Sequence, residues 1–545
     1  MKRVIVIGSG IAGMTCAIKL AEAGINVTVV SPFPSERSQS VMAAGGINGV
    51  LSSHENGDSV SSHINDTLKG GCFIAGTRAV SGLCQNAENI IKHLEEIGTV
   101  FSVNENGEPM RRAFGGQSYR RTYYCGSATG KHIVSALVME LRKYEASGIV
   151  ERKLWSCFYS ALIEDGVCYG VILYDETKGK LVMKEADAVV MAVGGQNAMF
   201  GKTTGSTQCD GYAAGKLFTQ GVELKNLEFI QYHPTTIETK QKRMLISEAV
   251  RGEGGRLFYV ENGKRIYFME EKYGKGGNLM TRDVVSREID ATGKDVYLDI
   301  SFLGEKEIIK RLPEVRNLCL KYKNIDISKE AIPVSPCVHF FMGGIAVKLN
   351  HETNIKNLFA VGECASIYHG ANRLGGNSLL CAQYSAIVAA NEIKKRDFDA
   401  SSPDFSNQLT KEQSYLEELK SIKDSKFPAT YIRDIIADTM RSDLGISRNE
   451  DALKNGIKSI DYYLSVSDSI KYDSSVAMHE LYSLKSILTL ARATLTCALN
   501  RQESRGAHYR EDYPDESNEY AYPTIISYDN GQYRVYLDKE HKYES

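Results

Sequence analysis

Residues 4–13, VIVIGSGIAG, constrain the fold of this chain more tightly than any other stretch. Four β-branched residues at 4–7 run straight into glycines spaced as Gly8, Gly10 and Gly13. A helical pattern follows, with Ile11, Met14, Ile18 and Ala21 on one face, and Gly24 stops it before a second apolar strand at 27–30. Strand, glycine turn, helix and strand in this order predict a Rossmann-like α/β fold with a parallel sheet. The glycines let the backbone approach a pyrophosphate, which the helix amino terminus meets with oriented N–H groups and a partial positive charge. The residue that would hold ribose hydroxyls with a carboxylate is Ser31, not Asp or Glu, which weakens the case for a nicotinamide cofactor. Two more apolar runs end in glycine, 188–193 at Gly194-Gly195 and 358–361 at Gly362-Glu363. Parallel strands that stop this way at one sheet edge suit the longer flavin dinucleotide.

A second segment carries chemistry. Residues 228–255, EFIQYHPTTIETKQKRMLISEAVRGEGG, hold His233, Ser247, Glu248 and Arg251 in a glycine-rich setting. An imidazole, a hydroxyl, a carboxylate and a guanidinium so close together suit a site that grips a small dianion and moves a proton. The same residues would be ordinary on an exposed polar loop, so the rest of the chain decides.

At 545 residues the chain exceeds one core and suggests roughly two to four domains. A net charge of −2 argues against a nucleic-acid or membrane-surface binder. The 48 glycines against 11 prolines suit close backbone approach to a large cofactor better than linkers. The 12 cysteines stand singly, with no Cys-x-x-Cys pair, so no zinc or iron–sulfur site is expected and a reducing compartment is. The first strand starts almost at Met1 and no apolar run reaches spanning length. A cytoplasmic chain without a direct membrane span is the expectation.

The cofactor fold is expected over 1–230, resuming at 340–396 because the 358–361 strand needs the same sheet. An inserted α+β unit, 231–339, would cap it and carry the 280–289 stretch. After Ser401-Ser402-Pro403, read as a linker, apolar spacing of three and four marks helices at 431–440, 453–464 and 479–499. These form a helical region over 404–505, with Pro428 near a first turn. The tail, 506–545, is charge-dense and predicts a hairpin turning at Asp529-Asn530-Gly531 between 524–528 and 533–537.

Nine ordered motifs carry a resemblance: GSGIAG, RSQSVMAAGGING, FGGQSYRRTYYCGSATG, EFIQYHPTT, ISEAVRGEGG, TRDVVSREI, VHFFMGGI, HGANRLGGNSLL and RQESRGAHYREDYP. Together the chain resembles the flavoprotein subunit of succinate dehydrogenase and fumarate reductase, a superfamily that includes L-aspartate oxidase. The resemblance implies FAD, a C4-dicarboxylate substrate, a capping domain and a C-terminal helical domain. It assigns His233 and Ser247 to one substrate carboxylate, and His339 and Arg373 to the other, with Arg373 as the planar fork. It gives Arg282 the delivery of a proton, with Glu248 and Arg251 as the relay behind it. Ser38, Ser40, Gly45, Gly46, Gly195, Asp210, Glu363, Ser378 and Leu379 join the amino-terminal glycines and Ser31 at the cofactor. An arginine acid is awkward, since free guanidinium has a pKa above about 12. Neighbouring Arg251 and Arg373 would disfavour a third positive charge, and Glu248 could refill the proton. The alternative for Arg282 is a purely electrostatic clamp.

Two departures sharpen this. The membrane-complex members that the chain resembles carry a flavin-linking histidine at the place of Gln39, and His54 and His63 lie too far along to substitute. Non-covalent FAD follows, with a lower flavin potential and a bias toward fumarate reduction. The aspartate oxidases that it resembles carry a glutamate at the place of Phe114, where a substrate ammonium would need it. Fumarate reduction therefore leads, L-aspartate oxidation is second, and a non-catalytic flavin electron-transfer subunit is the reading from another class. The expected partner is an iron–sulfur electron-transfer subunit, with the ESRGAHYRED stretch and the helical region as candidate contacts. Any membrane association would run through partner subunits.

Overall fold

Five parallel strands form the sheet that the amino-terminal pattern calls for, in a computed structural model that describes residues 2–51, 57–240, 242–398, 402–423, 427–473 and 476–544. His54 and Ser401 lie outside the described residues. The strand order is Leu358–Ala360, Ala188–Met191, Arg3–Ile7, Asn26–Ser31 and Val150–Leu154. The three central strands are buried almost throughout, which is why they read as unbroken apolar runs and not as alternation. The helix Ile11–Ala21 starts at Gly10 and is buried everywhere except Lys19. A Cβ on Gly13 would sit 2.0 Å from the Gly8 carbonyl oxygen, so the third glycine sets how closely helix and strand approach. The helices Thr129–Ala146 and Asn377–Lys395 pack against the same helix.

The chain leaves this fold along Ile230–Glu238 and returns along Ile332–Phe341. The two strands are antiparallel neighbours in a six-stranded sheet with Arg243–Leu245 on one side and Val296–Asp299, Arg256–Glu261 and Lys264–Ile266 on the other. The inserted segment has its own apolar core, including Ile246, Val250, Leu257, Val285, Leu298 and Ile308. The pairing of the two connecting strands slips twice. Gln231 and Tyr232 face Phe340 and Val338, leaving His339 as an extra residue, and a second shift lies between His233 and Thr236.

Helices dominate the C-terminal region: Ser406–Ser421, Ala429–Asp443, Glu450–Ser465, Met478–Tyr482 and Leu484–Asn500. The single helix expected at 479–499 is two, separated at Ser483, whose hydroxyl accepts a 2.6 Å hydrogen bond from Arg433. The expected hairpin forms from Thr524–Asp529 and Gln532–Leu537, turning through Asn530 at φ +47° and Gly531 at φ +86°. Both positive angles suit the right-handed twist of the flanking strands. This tail is no separate appendage, because its first strand pairs with Leu224–Lys225 in a five-stranded sheet. Buried Arg501 anchors it further, donating to the Tyr522 carbonyl and the Thr524 hydroxyl at 2.7 Å each and to Glu228 at 2.6 Å. Among the described residues no helix is long and apolar enough to cross a membrane.

The substitution Gly13→Ala forces a methyl into the Gly8 carbonyl and should destabilise the apoprotein by about 1–3 kcal/mol, as overpacking does. Gly276→Ala, where a Cβ would meet open space, serves as the contrast. Thermal unfolding of the two variants should show a lowered Tm for the first alone.

Candidate active site

A cavity of about 640 Å³ opens at the carboxyl ends of the parallel strands and reaches the two strands of the insertion. Gly8, Gly10, Ser31, Ser38, Ser40, Gly45, Gly46, Gly195, Asp210, Glu363, Ser378 and Leu379 line it. Gly13 does not; its place is in the helix–strand contact. A Cβ on Gly10 would come within 3.1 Å of Ser40 Oγ, and one on Gly195 within 2.5 Å of a Glu363 carboxylate oxygen. Bare backbone therefore forms much of the wall. Ser38 Oγ and Gln39 Oε1 are buried without a partner among the described residues, and the helices Ile11–Ala21 and Asn377–Lys395 begin at this wall, at Gly10 and Gly376. Orphaned polar atoms, side-chain-free backbone and two positive helix ends fit a dinucleotide carrying a pyrophosphate. Ser31 is less free than its position suggests. Its hydroxyl donates to the Phe33 carbonyl at 2.7 Å and accepts from Ser9 at 2.9 Å. Burial pushes the Glu363 carboxyl up to about 7, against the Phe341 N–H at 3.2 Å and the charge of Arg373.

The same cavity is lined by His233, Ser247, Glu248, Arg282, His339, Arg373 and Phe114. Arg251 sits behind them, fully buried, with its Nη2 3.6 Å from Glu248 and its Nη1 donating to the Asn278 carbonyl at 2.7 Å. Glu248 takes a second guanidinium on its other oxygen, from Arg282 Nε at 2.8 Å and Nη2 at 2.7 Å, and accepts the Gly115 N–H at 2.7 Å. Burial by itself would raise this carboxyl. The two arginines and the N–H outweigh it and hold the group down at about 2. Arg282 is the first residue of the helix Arg282–Thr292, where the helix dipole disfavours a cation, and Glu248 offsets that.

His233 and His339 face each other with ring centroids 5.3 Å apart. Burial first, then the charge of Arg282, lowers both well below the usual imidazole range, so both rings are neutral. His233 Nδ1 lies 3.1 Å from the Thr235 carbonyl oxygen and 3.3 Å from the Thr235 N–H, and its buried Nε2 has no partner among the described residues. His339 Nδ1 meets the Thr204 hydroxyl at 2.8 Å. Which ring nitrogen carries the proton sets whether Nε2 donates to a ligand or accepts from it. Burial and Arg282 also bring Arg373 down to about 9, and its guanidinium lies 4.1 Å over the Phe340 ring.

Reading the sequence missed two of these groups. Gln231 Oε1 accepts from Arg282 Nη1 at 3.1 Å and from Arg373 Nη2 at 2.9 Å, while its Nε2 donates to Asn372 and to the Arg373 carbonyl. Its signal was its place two residues before His233 on one strand, hence on the same face. Phe340 could not have been read from alternation, because His339 and Phe340 are consecutive and yet both line the cavity. The extra residue at this point of the strand is a β-bulge, which re-aims side chains beside functional sites. His63, weighed as a flavin link, is buried off the cavity wall and bonded to Asn377 at 3.0 Å.

Against known proteins, residues 3–379 match the FAD binding domain family and 433–542 match the fumarate reductase flavoprotein C-terminal family. The chain belongs to the fumarate reductase and succinate dehydrogenase flavoprotein family. It is 36% identical over 540 residues to the succinate dehydrogenase flavoprotein subunit of Bacillus subtilis, covering 95% of this chain and 92% of that one. It is also 34% identical over 532 residues to the L-aspartate oxidase of Pyrococcus furiosus, covering 97% and 99%. A solved chain of the E. coli quinol fumarate reductase superposes with a TM-score of 0.90 at 29% identity, covering 98% of this chain and 97% of that one. This member of the family is accordingly an FAD-dependent oxidoreductase.

Glu248 supports the fold only while ionised. Its carboxyl is held below its ordinary 4.5, at about 2, so its contribution is complete above pH 4.5 and is lost as pH falls through the lower value. The stability difference between wild type and Glu248→Gln should be constant from neutral pH to about 5 and shrink below that. Denaturant unfolding at several pH values measures it.

Proposed function

We propose that this flavoprotein reduces the double bond of a C4-dicarboxylate of the fumarate type. The observation that carries the reading is the charge balance at the cavity. Arg251 and Arg282 share the strongly acidic Glu248, while buried Arg373 lies in the field of Glu363, whose carboxyl is pushed up to about 7, and the excess of positive charge suits a dianion. His233 and Ser247 hold one substrate carboxylate; His339 and Arg373 hold the other. FAD in the cavity supplies the hydride chemistry. Clamping both ends of a short diacid fixes its central carbons, and Arg282 delivers the proton to the substrate carbon. Glu248, hydrogen-bonded to Arg282 and flanked by Arg251, refills it. Gln231 holds Arg282 and Arg373 apart without adding charge.

Gln39 stands where a linking histidine would be, so the FAD is held without a covalent bond. A flavin without that electron-withdrawing link has a lower potential, which favours fumarate reduction over succinate oxidation. Electrons arrive from an iron–sulfur partner subunit, through which the chain would also reach a membrane. L-aspartate oxidation is the second reading, because an L-aspartate oxidase is a 34% identical relative. Phe114 weighs against it: this apolar ring is buried and packs on Gly45 and Gly375, and offers nothing to an ammonium group.

Anaerobic assays, with reduced viologen as donor for fumarate and an oxidised dye as acceptor for succinate, should show fumarate turnover well above succinate oxidation, and L-aspartate should not bleach the flavin. Arg282→Ala should lower kcat by about 100-fold or more, the usual scale for losing a general acid. Undiminished turnover in that variant would overturn the mechanism, and rapid bleaching by L-aspartate would reverse the order of the two readings. Acid precipitation of the protein should leave all flavin in the supernatant.

A further inference from the structure

The C-terminal helices provide part of the cofactor cavity. Ala477, His479 and Glu480 line it beside Asp210, where Ser156, Cys157 and Phe158 complete the wall. That stretch begins the strand Ser156–Glu164, which packs on the strand Asn26–Ser31, so this is the dinucleotide's side of the cavity.

Asp210 does not present a free carboxylate. One oxygen accepts the Tyr212 N–H at 2.9 Å; the other meets His479 Nε2 at 2.8 Å, with Arg433 Nη2 3.8 Å away. Arg433 also pairs with Glu480 and donates to Ser483. His479 Nδ1 lies 2.9 Å from the Tyr482 hydroxyl. One neutral tautomer satisfies both contacts, with Nε2–H donating to Asp210 and Nδ1 accepting from Tyr482. Backbone contact reinforces the joint. A Cβ on Gly215 would sit 2.2 Å from the Ser486 carbonyl oxygen, and one on Gly211 2.7 Å from Leu490. The helix Leu484–Asn500 therefore lies directly on the helix that follows Asp210.

We propose that His479 is a positioning residue for FAD: with Arg433 it clasps Asp210 and holds the C-terminal helices closed over the dinucleotide. Asp210 is only 8% exposed. Stripped of the clasp it keeps one N–H and presents a bare negative charge in a cavity that takes a pyrophosphate, which is repulsive. With the clasp in place, that charge is met from the C-terminal side. Cofactor binding and docking of these helices are then linked, and each strengthens the other by the same factor.

The test is FAD release, followed by the rise of flavin fluorescence after dilution of the holoprotein. His479→Ala should release FAD about tenfold faster or more, the scale of one hydrogen bond to a charged group. His479→Asn, whose amide can still donate to Asp210, should recover part of the loss. Adding FAD to the wild-type apoprotein should slow amide hydrogen exchange in residues 477–483, and should not do so in His479→Ala. Equal release rates, or no FAD-dependent protection in the wild type, would overturn the proposal. If His479→Ala does not fold, Tyr482→Phe, which removes only the hydroxyl orienting the imidazole, decides it by the same two measurements.

Discussion

Everything at the catalytic end hangs on two antiparallel strands, Ile230–Glu238 and Ile332–Phe341, that carry the chain out of the cofactor fold and back. They are the stem of the insertion and the wall of the cavity at once. A regular pair would point alternate residues at the cavity. The bulge at His339 breaks that rule, so His339 and Phe340 both face it across from Gln231 and His233. One imidazole then meets another at 5.3 Å, and the Phe340 ring supports the Arg373 guanidinium. Because the stem belongs to both units, a change in how the insertion sits would move the His233 and His339 rings and the Gln231 amide together.

The second constraint is electrostatic. Arginines are seldom buried without paired acids, yet the catalytic end buries three, of which Arg251 and Arg282 share Glu248 while Arg373 lies in the field of Glu363. The chain contains the resulting repulsion by geometry. Gln231 places a neutral oxygen between Arg282 and Arg373, Phe340 offers a π face to Arg373, and the Asn278 carbonyl takes Arg251. Burial and the charge of Arg282 lower Arg251 and Arg373 from the ordinary guanidinium range and both histidines from the ordinary imidazole range.

Farther from the chemistry, the C-terminal region binds the whole together. Arg501 bridges Glu228 and Glu503, the tail strand extends a sheet that contains Leu224–Lys225, and His479 reaches Asp210 on the cofactor wall. The residues just ahead of the stem are thus held from the carboxyl-terminal side as well.

Much of this was legible in the residues alone. The parallel sheet follows from apolar runs that end in glycine, because strands buried on both faces need no alternation and a pyrophosphate needs bare backbone. The hairpin at Asn530-Gly531 follows from a turn that demands two positive φ angles. His233, Ser247, Glu248 and Arg251 stood out as polar and titratable groups in one glycine-rich segment, whereas Arg282, His339 and Arg373 were marked by the family resemblance. What pattern could not supply was any contact made by register or by distant packing. Whether Phe340 faces the cavity depends on one extra residue in a strand, which flips alternation without leaving a mark in composition. Gln231 looks like any polar strand residue until two arginines from distant segments close on its amide. His479 lies 269 positions from Asp210 along the chain. The sequence by itself determined the local elements and the chemical inventory, since both depend on neighbours a few residues away. Only the tertiary structure decided which of those groups share a cavity, because that depends on surfaces brought together from the far ends of the chain.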